Sequence, residues 1–201
     1  MTDKNVSIMN IGSMGYLPQV FKKIENEKKL NIVYLGGSIT MGCNATKTEL
    51  RYVDRSAKWW QTNFPDAEIS YFNAGIGATT SQFGVARVQE HVLDKQPDLV
   101  FVEFSVNDSS SPLFMETYES LVRRLLKAES VKAVVLINNL FYDTGTNAQG
   151  IHNAVGLHYD LPIVSVRNYI FPEIQLGNVC LADYTADMLH PTDSVSYTHL
   201  R

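Results

Sequence analysis

A serine on a glycine-flanked turn, an aspartate three residues before a histidine, and an asparagine after an apolar run could together cleave an ester. Ser38 lies in Tyr34-Leu35-Gly36-Gly37-Ser38-Ile39-Thr40-Met41-Gly42, after the run Asn31-Ile32-Val33-Tyr34-Leu35 that reads as a buried strand. The glycines force a tight turn, and a serine lifted off a strand end on such a turn is expected to be exposed, close to backbone N–H groups and poised for attack. Far along the chain, Asp187-Met188-Leu189-His190 places an acid and a base one helical turn apart. Acyl transfer needs a nucleophile, a base, a group orienting the base, and donors for the developing oxyanion. Ser38 would attack, and His190 would take its proton and later protonate the leaving alcohol. Asp187 would accept from His190 Nδ1, and the oxyanion would take the Ser38 N–H, an N–H from the loop 73–80, and the Asn107 amide.

Each residue also has a plainer reading. Ser38 could cap the helix that follows it, Asp187 and His190 could be a surface pair at a helix start, and Asn107 could satisfy a turn. Asp108 reads as a turn or capping residue. Glu103, inside Phe101-Val102-Glu103-Phe104, must be paired or neutralised if buried, and is a candidate support for the site. His91 lies on a polar helix face, His152 and His158 sit in a helix-like stretch without ligand-pair spacing, and none of the three receives a role.

The elements that must position these residues alternate along the chain. Strands are expected at 31–36, 68–73, 98–105, 132–138 and 161–166. Helical periodicity covers 17–27, 56–64, 80–93, 113–127 and about 148–159. Leu99-Val100-Phe101-Val102 and Ala133-Val134-Val135-Leu136-Ile137 show no polar alternation, so both faces of those strands are expected to be covered, as in a parallel sheet. Right-handed βαβ crossovers then give an α/β fold, a three-layer α/β/α sandwich around a central, mostly parallel five-stranded sheet. Functional residues collect where such strands end at their carboxyl side, and Ser38, the loop 73–80 and Asn107 all follow strand ends.

Bulk properties narrow the classes of function. The 201 residues are 45% hydrophobic and 19% charged, ordinary for one globular domain. A net charge of −4 from 17 basic and 21 acidic residues, with no basic run, argues against nucleic acid or an anionic membrane as partner. The first residues lack the apolar core of a signal peptide and nothing approaches a membrane span, so a cytoplasmic location is expected. Cys43 and Cys180 form no metal or redox motif and read as buried or incidental thiols. No metal or other cofactor is expected.

Gly36-Gly37-Ser38, Asn73-Ala74-Gly75-Ile76-Gly77-Ala78-Thr79-Thr80-Ser81, Ser105-Val106-Asn107-Asp108 and Asp187-Met188-Leu189-His190 resemble, in order, the four sequence blocks of the SGNH (GDSL-type) hydrolases. The resemblance covers roughly residues 31 to 193. It implies a flavodoxin-like sandwich and metal-free ester hydrolysis through an acyl-serine, with Ser38 as nucleophile, His190 as base, Asp187 as its partner and Asn107 as an oxyanion donor. Gly37 stands where many members carry aspartate. The family's oxyanion glycine falls on Ala78, which can serve if its φ stays negative; Gly77 or Gly75 would take the role in another register.

With the lead-in Leu17-Pro18-Gln19-Val20-Phe21-Lys22-Lys23, the pattern further resembles a branch associated with carbohydrate deacetylation. An acetylated sugar or oligosaccharide is therefore the expected substrate, with Trp59, Trp60, Phe83, Phe114 and Tyr142 as a stacking surface, although Trp59 and Phe64 also fit a core helix. An acyltransferase on the same site is one alternative. A nucleotide- or phosphate-binding module is another, but the turn lacks both Gly-x-Gly-x-x-Gly and a P-loop lysine. The domain is expected over 1–193. Residues 194–201 read as a non-native tail resembling translated adapter sequence, in place of the final C-terminal helix that the family pattern leads one to expect.

Overall fold

The computed structural model describes residues 4–12 and 15–193; the expected tail at 194–201 lies outside them. Strands β1 (Ile8–Asn10), β2 (Lys29–Gly36), β3 (Glu68–Gly75), β4 (Leu99–Glu103), β5 (Ala133–Asn138) and β6 (Ile163–Ser165) form one sheet in the order β1-β6-β5-β4-β2-β3. All neighbouring pairs are parallel except β1 with β6. The sheet thus has six strands where five are expected. The extra one, β1, is a three-residue antiparallel edge with a register shift, too short to carry a periodic signal.

Period-two alternation divides the strands between two cores. Val33, Leu35, Val100, Val102, Val134 and Leu136 face one layer, where they meet Val88 of α4 (Ser81–His91), Leu121 and Leu125 of α5 (Pro112–Leu126) and Val155 of α6 (Gln149–His158). Ile32, Tyr34, Leu99, Ala133 and Val135 face the other, with Val20 and Ile24 of α1 (Tyr16–Glu27) and Val53 and Trp60 of α3 (Tyr52–Asn63). This is the three-layer sandwich, and both sheet faces being covered explains why the central strands lack polar positions. Helices α2 (Ser38–Met41), α7 (Val166–Gln175) and α8 (Leu181–Tyr184) complete the helical set. The expectation missed α7 because its sequence carries Pro172 in the helix interior, a residue that normally argues for a break.

The register matters most for the site. Gly36 of β2 pairs with Gly75 of β3 on one side and with Glu103 of β4 on the other. The three strands therefore end level, and the turns after them open at one edge of the sheet. Among the described residues no helix is long and apolar enough to cross a membrane.

Candidate active site

The chain leaves β2 through Gly37 and winds into α2, a single turn closed by Met41 N–H to Gly37 C=O at 3.0 Å and by Gly42 and Cys43 N–H to Ser38 C=O, each at 3.0 Å. As the first residue of that turn, Ser38 has an N–H with no intrahelical acceptor. Gly37 is required by close approach: a Cβ there would run into Asn107 Oδ1. Gly75 is required likewise, because a Cβ would overlap the backbone of Met41. Asn73 joins the two turns, donating to Thr40 C=O at 2.8 Å and accepting from Gly75 N–H at 2.9 Å.

Ser38, expected to be exposed, is only 7% accessible, because three other segments close over it. Ser38 Oγ lies 2.8 Å from His190 Nε2, and His190 Nδ1 lies 2.7 Å from Asp187 Oδ2. The second contact assigns the Nδ1–H tautomer, which leaves Nε2 free to accept the serine proton. Asp187 and His190 do not sit on a helix, as their spacing suggests. The segment bends at Met188, whose φ is +65°, and is closed by a bridge between Thr185 and Pro191. That bend lets Asp187 Oδ1 accept the N–H groups of Leu189 (3.1 Å) and His190 (2.8 Å) while Oδ2 faces the ring. Asn44 adds a donor to Oδ2 at 3.0 Å. Desolvation pushes the Asp187 carboxyl up, but the bonds from His190, Leu189 and Asn44 outweigh it and hold the group well below the usual carboxylate range.

The loop after β3 is tied back by Ile76 N–H to Gly36 C=O (3.1 Å) and by the Thr79 hydroxyl to Ile76 C=O (2.7 Å). Ala78 has φ +57°, so the condition under which alanine could replace the family glycine is not met. The left-handed conformation strains a residue with a Cβ by about 1–2 kcal/mol. Gly77 packs against Ser38: a Cβ on it would lie 3.9 Å from Ser38 Cβ and 3.3 Å from Met41 Cε. Asn107 comes off β4 in a turn in which its own N–H and that of Asp108 both donate to Phe104 C=O at 3.0 Å.

Around these residues lie further buried polar groups, of which Arg87 was not singled out by the sequence. Arg87 is buried and donates to the strand-end carbonyls of Ala74 (2.6 Å) and Gly36 (3.0 Å), its pKa lowered by burial to about 10. Its one signal was a cation on the buried stripe of α4, beside Ser81, Gly84 and Val88. Glu103 is fully buried; burial raises its pKa to about 7, against hydrogen bonds from Asn139 and Ser105. Asp108 is a capping residue, accepting Ser81 N–H at 2.9 Å, and also contacts His152 Nε2 at 3.0 Å. His152 is therefore not without a role.

Among the expected stacking residues, Trp60 (6%) and Tyr142 (1%) are buried. Trp59, a candidate for the core, is instead 44% exposed and meets Trp60 edge-on. Phe83 and Phe114 lie in the first turns of α4 and α5, which start at the site's edge of the sheet. Neither cysteine is buried: Cys43 is half-buried and Cys180 exposed.

The model of the GDSL-like lipase/acylhydrolase family matches residues 34–195. A two-domain esterase active on acetylated mannans is similar over all of this chain, at 44% identity and a TM-score of 0.97. This chain spans about half of that protein (54%). The same esterase co-crystallised with mannopentaose gives a TM-score of 0.96 over 98% of this chain and 54% of its own. A catalytic mutant of the acetylxylan esterase Axe2 from Geobacillus stearothermophilus shares the fold at a TM-score of 0.71 and 18% identity, over 86% of this chain and 91% of its own. No protein of curated function matches.

Proposed function

The chain belongs to the GDSL-like lipase/acylhydrolase family, and on that premise we propose that it removes a short acyl group, chiefly acetyl, from a carbohydrate ester through an acyl-serine intermediate. The observation carrying this reading is the relay from Ser38 Oγ to His190 Nε2 at 2.8 Å and from His190 Nδ1 to Asp187 Oδ2 at 2.7 Å. His190 accepts the Ser38 proton as Oγ bonds to the ester carbonyl carbon, and Asp187 stabilises the imidazolium. The oxyanion takes the Ser38 N–H, the Asn107 amide and an N–H of the loop 75–78, where Ala78 holds the family position and Gly77 packs against Ser38. The imidazolium of His190 then protonates the sugar oxygen as its bond to the acyl carbon breaks, freeing the sugar hydroxyl, and water activated by the same imidazole cleaves the acyl–Ser38 bond and releases the acid.

Support for the sugar comes from the 44% identical esterase active on acetylated mannans, which makes acetylated manno-oligosaccharides the first natural esters to assay. The partner is thus a small-molecule or oligosaccharide ester. The test is p-nitrophenyl acetate hydrolysis by the chain beside its Ser38→Ala variant. A fall in kcat of at least about 10³-fold is expected; turnover that survives the substitution refutes the mechanism.

A further inference from the structure

Asn107 is the outlying member of the proposed site, and nothing holds its side-chain oxygen. Oδ1 is buried with no hydrogen-bond partner among the described residues. Its position is therefore set by its turn and by what anchors that turn. The anchor is the next residue. Asp108 Oδ1 accepts the N–H of Ser81, the first residue of α4, at 2.9 Å, and α4 carries the loop that brings Gly77 against Ser38. One carboxylate thus ties the Asn107 turn to the loop 75–80.

Its other oxygen, Oδ2, meets His152 Nε2 at 3.0 Å, with both side chains wholly inaccessible. His152 comes from α6 on the same layer, and its ring stacks on Tyr118 with centroids 3.6 Å apart and planes 5° from parallel. Burial lowers the His152 pKa despite Asp108, so the ring is neutral, with Nε2–H donating. Its Nδ1 finds no partner among the described residues. A buried polar ring with one hydrogen bond is a costly way to fill a core position, and that bond is spent on Asp108.

We infer that His152, acting through Asp108, is a positioning residue that fixes Asn107 and the loop 75–80 at a common spacing from Ser38. The inference rests on the ester-hydrolase reading for its kinetic consequence only. Without the Nε2–H donor, Asp108 is left partly unpaired, and the Asn107 turn relaxes away from the α4 N-terminus.

The test is a double-mutant cycle on p-nitrophenyl acetate, with the melting transition followed in parallel. His152→Leu should lower kcat about 10-fold or more with KM within about twofold, since displacement of a transition-state donor acts on kcat. In an Asn107→Ala background the same change should cost less than about threefold, because the two residues act through one contact. His152→Gln, which retains a donor, should restore most of the activity. If His152→Leu does not fold, His152→Phe replaces it, keeping the ring stacked on Tyr118 but removing the Nε2–H donor. NMR of the Asn107 side-chain amide gives a readout independent of catalysis, and its signals should shift or broaden in the folded variants. Unmoved Asn107 signals, or kcat effects that multiply fully across the cycle, overturn the inference. Absence of Ser38-dependent hydrolysis in the parent chain would sink the esterase reading alone, and the Asn107 signals would still decide the clamp.

Discussion

At the scale of single residues, Asp187 accepts from Asn44, Thr185, the backbone of Leu189 and His190, and the His190 ring. A carboxylate so surrounded stays ionised through the whole range in which His190 could work as a base, and its geometry leaves the ring one orientation. Asn107 differs in having no such network, which makes it the residue whose removal is cleanest to interpret. Asn107→Ala is expected to lower kcat on p-nitrophenyl acetate by about 10²–10³ with KM little changed, as for loss of one oxyanion donor. An equal rise in KM with unchanged kcat would mean that it binds the ground state instead. Ser38, Asp187, His190 and Asn107 were legible as candidates because their types are few and their contexts distinctive. Asn44 was not: an asparagine after a turn is common, and its partner lies 143 positions away.

At the scale of elements, the site depends on three strands ending level and on turns that pack without side chains between them. Gly37 and Asn107 belong to different turns, yet a Cβ on one would overlap the amide of the other. Gly37→Ala should therefore reproduce most of the Asn107→Ala loss in kcat while Ser38 and His190 remain in place. Labelling of Ser38 by an organophosphonate would check that the nucleophile survives, and unchanged kcat would show that the amide can move aside without consequence. The five long or apolar strands and five of the helices were readable from periodicity. The edge strand β1 and the helices α2, α7 and α8 were not, because β1, α2 and α8 are only three or four residues long and α7 holds Pro172. The bend at 185–191 also escaped the pattern, since its spacing of three mimics a helical turn.

At the scale of the whole molecule, burial turns acid strength into stability. Glu103, at the end of β4 between the two cores, has its pKa raised from 4.5 to about 7. Between those values the folded protein binds the proton more tightly than the unfolded chain, so this group's contribution is full below about pH 4.5 and is lost as pH rises through 7. A shift of that size corresponds to about 3 kcal/mol at most. Glu103→Gln should accordingly raise the melting temperature relative to the parent at pH 8, with a much smaller difference at pH 5. His152 works in the opposite sense on the acid side, so the difference between the two proteins, rather than either profile, is the quantity to measure. A difference independent of pH would show that Glu103 titrates normally.

The sequence by itself determined the α/β class, the two-sided burial of the central strands and which four side chains to propose for the site, because these follow from local periodicity and from residue types that few other tasks require. Only the tertiary structure decided what joins them. Level strand ends, the overlap of Gly37 with Asn107, the burial of Arg87 beneath two strand-end carbonyls and the Asp108–His152 contact are all relations between segments far apart in the chain. Such contacts arise from close packing around a common core, and packing is a property of the assembled layers that no single stretch of chain encodes.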